Sequence, residues 1–211
     1  LAEERLENAL ELVREAEPDL LVSTGDLLDA AGPHTSALAD RLAETRAPVG
    51  KFAVLGNHEN YSGIENSLEF HRRAGFRVLR EEREPAGDRL VIAGVDDPAG
   101  ARSGGRPLLD EDAALPAPGE ARFVVLLKHR PTVREKSLGR FDLQLSGHTH
   151  RGQIFPFPLV IFLTHRYVAG LYELAGGARL HVSRGSGTWG PPMRLLSPPE
   201  VTLIILEPAN R

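Results

Sequence analysis

Asp26, Asn57, His58, His129, His148 and His150 are the residues of this sequence best placed to do chemistry, because of what precedes each of them. Asp26 follows the apolar run 20–25, Asn57 and His58 follow 52–56, His129 follows 123–128, and His148 and His150 follow 143–147. Ligands of open α/β sheets gather outside the carboxyl ends of the strands. Four separate strands that each end in Asp, Asn or His therefore point to one convergent site. Imidazole nitrogen with carboxylate and amide oxygen suits Mn, Fe, Zn or Co better than Ca or Mg. The sequence has no cysteine, which removes thiolate ligands, thiol nucleophiles and disulfides.

Taken singly, these signals are weak. Gly25-Asp26 is a common turn after a strand. Asn57 and His58 tolerate turn conformations, so a plain turn is the default there. An isolated His129 is more often a satisfied structural histidine than a ligand. Gly147-His148-Thr149-His150 is the strongest piece, although a solvated loop can carry the same letters. Arg130 and Arg151 flank the candidate ligands and are candidate phosphate contacts. A salt-bridged or solvated arginine is at least as good a reading of either.

The elements that must position these residues can be read from periodicity. Residues 1–16 carry Leu6, Ala9, Leu10 and Val13 at helical spacing, and Pro18 stops the helix. A short buried strand is expected over 19–24, a helix over 36–45, a strand over 51–55 and a helix over 64–74 with Gly75 as its C-terminal cap. This alternation is an α/β pattern. Further strands are expected over 77–80, 89–95, 122–127, 142–146, 166–174, 178–183 and 201–206, with 102–120 a loop holding at most one helical turn. Neither half has enough apolar strand to close a sheet alone, so residues 1–211 read as one domain of two packed mixed sheets with helices outside.

Bulk composition narrows the function classes. The formal charge of −4 gives no reason to expect a nucleic-acid surface. No apolar window is long enough to span a membrane, and no signal peptide is visible. The chain begins with Leu1, so targeting information is expected to have lain upstream. The apolar stretch 155–163 directly follows the candidate site. It reads first as a buried loop or strand, and second as a lip that touches a membrane or admits an acyl chain.

Taken in order, Gly25-Asp26, Gly56-Asn57-His58-Glu59, His129 and Gly147-His148-Thr149-His150 resemble the signature blocks of the calcineurin-like metallophosphoesterases. The segments 167–172, 183–188 and 198–202 are similar to a bacterial, membrane-associated branch of that superfamily. The resemblance implies a four-layer sandwich of two mixed β-sheets flanked by helices, and two divalent transition metals. It implies that Asp26 bridges the metals, that Asn57, His129 and His148 complete the second site, that His150 belongs to the first, and that His58 acts on the scissile phosphate as contact or general acid. The implied reaction is in-line attack of a metal-bound hydroxide on a phosphomonoester or phosphodiester of a small-molecule, nucleotide-type or lipid-linked substrate.

The family pattern opens with an Asp-x-His block on a first strand, and no such pair precedes Asp26. The first strand is therefore expected to be missing and the first metal site weak. Arg151 stands where this branch often has Gly. The competing function is a catalytically impaired module that uses the fold as a binding surface.

Overall fold

The computed structural model describes residues 2–28, 35–102 and 110–208, without the side chains of residues 2–5 and 101–102. The elements run α1 (Ala2–Ala16), β1 (Leu20–Ser23), α2 (Thr35–Ala43), β2 (Gly50–Ala53), α3 (Asn57–Ser62), α4 (Ile64–Arg73), β3 (Arg77–Val78), β4 (Glu82–Ala86) and β5 (Leu90–Val95). They continue with α5 (Ala99–Arg102), α6 (Glu111–Ala114), β6 (Phe123–Lys128), β7 (Leu143–Ser146), α7 (Phe157–Thr164), β8 (Gly170–Glu173) and β9 (Arg179–Val182).

Two sheets form. The smaller has the order β1-β2-β3, and both of its pairings are parallel, so it is not mixed. The larger, β4-β5-β6-β7-β9-β8, is parallel in its centre with antiparallel edges at β4 and β8. Alternating side chains of each strand leave by opposite faces, and the core follows that alternation. Phe52, Ile92, Val125, Leu127 and Leu145 meet between the sheets. Val91, Ala93, Val95, Val124 and Leu126 pack outward beneath Leu115 and Phe141. On the far side of the small sheet, Ala53 packs against Leu10 of α1, Ala39 and Leu42 of α2, and Phe70 of α4. The result is a layered α/β structure with two sheets between helices.

Most expected elements lie within a few residues of their observed bounds. Gly75 caps α4 as expected: at φ 80° it lets its own N–H reach the Arg72 carbonyl and the Phe76 N–H reach that of His71. Four differences stand out. The turn expected at Asn57 is the first turn of α3, entered from Gly56. Strand β4 escapes a periodicity search because Glu-Arg-Glu-Pro-Ala is polar, which an edge strand tolerates, proline included. The segment 201–206 is assigned to no strand among the described residues, and Leu203 and Ile205 stand exposed. The stretch 155–163 is not a buried loop or strand: Pro156 and Pro158 start a helix there, and none of the residues of α7 is buried. Among the described residues of 102–120, α5 ends at Arg102 and one further helical turn forms, α6, whose first N–H groups are capped by the Asp110 carboxylate. Residues 103–109 of that loop lie outside the described residues.

Candidate metal centre

The carboxyl ends of β1, β2, β6 and β7 lie side by side, and the turns that leave them carry the site. His129 is the pivot. Its ring is buried, and Nδ1 lies 2.8 Å from the Thr24 carbonyl oxygen, an acceptor that holds the proton on that nitrogen. Nε2 then faces Asp26 Oδ2 at 3.1 Å, Asn57 Oδ1 at 3.2 Å and His148 Nδ1 at 3.0 Å. Nitrogen or oxygen donors of Asp26, His129 and His148 all fall within 4.8 Å of one another.

Charge and burial are opposed around the pivot. Burial opposes charge on His129, yet the hydrogen bond and charge of Asp26 outweigh it and raise the imidazole above its ordinary value. Burial opposes ionisation of Asp26 as well, but His129 and the His58 backbone N–H bring the carboxyl down to about 2. Burial, with His129 and Arg130 beside it, drives His148 down to about 3, so at neutral pH that ring is neutral and keeps a lone pair. One proton on His129 Nε2 cannot satisfy three acceptors at once. A divalent ion can accept from all four groups. Two imidazoles, a carboxylate and an amide oxygen form a donor set suited to a transition metal, and the contact of His129 with Thr24 is the kind that orients a ligating histidine.

The backbone that presents Asp26 is held from below by Glu59. Its fully buried carboxylate accepts from Asp26 N at 2.8 Å and Gly56 N at 2.9 Å through one oxygen. The other oxygen accepts from Leu27 N at 2.6 Å and Leu28 N at 3.1 Å. One side chain thus ties the turn after β1 to the turn after β2. It also steadies Asp26 at φ 57°, a conformation costly for a non-glycine residue. Asp26 Oδ1 in turn accepts from the His58 backbone N–H at 2.9 Å. A Cβ on Gly56 would lie 2.1 Å from that same oxygen, so only glycine fits.

The other candidates fall around this centre. His58 sits half-buried on α3, with its ring 6.0 Å from that of Tyr61. Arg130 is gripped by the buried Asp97, Nε to Oδ2 at 2.6 Å and Nη2 to Oδ1 at 3.1 Å. His150 lies outside the donor group; its Nδ1 is 3.1 Å from Arg194 Nη2, and Ser197 Oγ donates to its carbonyl. Arg151 is exposed at φ 50°, where the glycine common in the related branch would carry no strain. It faces a cavity of about 390 Å³ shared with Phe162, His181, Arg184 and Glu200. Sequence reading missed Glu59, Asp97 and Arg194 as supports. Glu59 had a signal in the block Gly56-Asn57-His58-Glu59, since an acid three residues after a helix N-cap turns back toward the cap.

The family model described as calcineurin-like phosphoesterase matches residues 2–152. A metallophosphoesterase of Aquifex aeolicus is 46% identical over 211 residues, which is 98% of this chain and 80% of that protein. A Campylobacter jejuni metallophosphoesterase is 36% identical and a zebrafish transmembrane protein with a metallophosphoesterase domain 31%, over 98% and 97% of this chain. The chain spans about half the length of these two relatives, 55% and 49%. In three dimensions it is similar to Haemophilus influenzae NAD nucleotidase, with a TM-score of 0.54 at 18% identity, over 87% of this chain and 43% of that one. That likeness concerns the fold.

Proposed function

The chain belongs to the calcineurin-like phosphoesterase family, and on that premise we propose that it is a phosphoester hydrolase that holds a divalent transition metal at Asp26, Asn57, His129 and His148. The observation that carries this reading is the convergence of three acceptors on His129 Nε2, whose other nitrogen is committed to Thr24. When bound, the metal supplies Lewis acidity toward phosphoryl oxygens and lowers the pKa of a coordinated water. Asp26 is held in place for this by the Glu59 carboxylate and by the His58 N–H.

The remaining residues act on the substrate. Arg130, its guanidinium plane set by Asp97, is assigned to the phosphoryl oxygens, where a planar fork of N–H donors is well matched. His58, beside Asp26, is assigned as the general acid. As a hydroxide oxygen bonds to phosphorus and the ester P–O bond breaks, the leaving oxygen takes its proton from the His58 ring. His150 is given no part in the four-donor cluster, because Arg194 meets its Nδ1. The reading therefore expects one well-held metal ion from these residues.

The test is turnover by chelator-stripped protein, with and without added Mn, on an aryl phosphate and a bis-aryl phosphodiester. Metal-dependent turnover abolished in Asp26→Asn and His129→Ala, and reduced in His58→Ala, supports the hydrolase. No turnover with any of Mn, Fe, Zn or Co supports the catalytically impaired binding module instead.

A further inference from the structure

Helix α7 is apolar on every side: Phe157-Pro158-Leu159-Val160-Ile161-Phe162-Leu163-Thr164. A helix that is hydrophobic all round is expected in a protein core or in lipid, yet no residue of α7 is buried and Leu163 is 87% exposed. Phe155, just before the helix, is exposed as well. Scattered exposed hydrophobics are ordinary, but a contiguous patch of this kind marks an interaction surface.

The helix is not loosely attached. Its base rests on Gly152, at φ 77°, where a Cβ would come within 2.5 Å of the Pro158 backbone. Its far end turns back at His165, whose ring lies 6.3 Å from that of His148 in the candidate metal centre. The base of α7 is thus packed on the segment that carries the site, and its far end lies near it. Phe162 also forms a wall of the cavity that Arg151 and Arg184 line.

Charge indicates what covers this surface. No Asp or Glu occurs between Asp142 and Glu173, whereas Arg151, His165 and Arg166 lie within that stretch. Glu200, which shares the cavity with Phe162, is paired with Arg184. An apolar helix whose own stretch of chain carries arginines and no carboxylate complements a bilayer with anionic headgroups. We propose that α7 inserts into the surface of an anionic lipid bilayer and seats the metal centre at that surface. The helix is too short to span a membrane, and no helix among the described residues is long and apolar enough to do so. The insertion is therefore shallow, of the monotopic kind. This proposal goes beyond the hydrolytic reading and does not rest on it.

Flotation of the metal-loaded chain with phosphatidylcholine vesicles, with and without phosphatidylglycerol, tests it without any measure of turnover. The expected result is flotation with the anionic vesicles. A Phe162→Asp/Leu163→Asp variant of unchanged melting midpoint should lose on the order of tenfold or more of the floated fraction. Arg166→Glu, at an exposed position, should lower flotation with anionic vesicles and provides the same test should the double variant fold poorly. Three results would overturn the proposal: native protein that stays at the bottom of the gradient with anionic vesicles, variants that float as the native chain does, or a solution dimer that the double variant dissolves, which would mean that a second copy covers α7.

Discussion

The Glu59 carboxylate accepts a hydrogen bond from the backbone N–H of Asp26 at 2.8 Å, and from three further N–H groups on the same two turns. The residue that faces the metal position is thus held by one that never touches it. A glutamine at 59 has one acceptor oxygen in place of two. Whichever way its amide turns, two backbone N–H groups face an NH2. A stranded buried donor costs about 1–3 kcal/mol. Glu59→Gln is predicted to lower the unfolding free energy by roughly that amount or more, and to weaken metal affinity in the protein that remains folded. Denaturant titration together with metal titration checks both. Unchanged metal affinity would mean that Glu59 supports the fold alone.

Gly56→Ala isolates the position of Asp26 from its charge. The added methyl would fall 2.1 Å from Asp26 Oδ1 and 2.7 Å from Asp26 N, so the carboxylate must shift. Because a metal ligand tolerates little displacement, the variant is predicted to lose at least about tenfold in metal affinity, typical of disturbing a ligand's support. Titration of chelator-stripped protein with Mn reads this directly.

Arg130 gives a prediction about substrate alone. It is not a donor to the metal position, and Asp97 fixes its orientation. Arg130→Ala is predicted to raise KM by about tenfold or more, with metal affinity unchanged. Asp97→Asn should move KM the same way and less far. A loss of metal affinity in either variant would place Arg130 in a structural role.

Acid stability should report on Glu200. Burial opposes its ionisation, but the Arg184 backbone N–H and guanidinium outweigh burial and lower its pKa below 4.5. A carboxyl with a depressed folded-state pKa stabilises the fold above the unfolded value and loses that contribution as pH falls through the folded one. Glu200→Gln is therefore predicted to melt lower than the native chain at neutral pH. The gap should close as pH drops below 4.5. A gap that stays constant from pH 7 to pH 3 would contradict the assignment.

The sequence was legible where periodicity and strand ends carry the signal. Leu10 and Val13 of α1 and the apolar runs of β5, β6 and β7 announce themselves, and so do Asp26, Asn57, His129 and His148 at the ends of strands. What escaped depends on contacts distant in sequence. Glu59 supports Asp26 across 33 positions, and Asp97 orients Arg130 across the same span. The resemblance implies that His150 belongs to a first metal site apart from His148; in the structure residues 148–153 include four non-glycine residues at positive φ, and the His150 ring lies beside Arg194. Strand β4 hid behind a polar edge sequence. For 155–163 the apolar run points first to burial, but no residue of α7 is buried, because the helix packs only by its base.

The central claim is that one divalent ion sits among Asp26, Asn57, His129 and His148. Anomalous diffraction from crystals of the Mn-loaded protein tests it most directly. The account predicts a strong peak about 2.0–2.2 Å from His129 Nε2, His148 Nδ1, Asp26 Oδ2 and Asn57 Oδ1. A peak elsewhere, or none with these four side chains ordered as they stand, would contradict it.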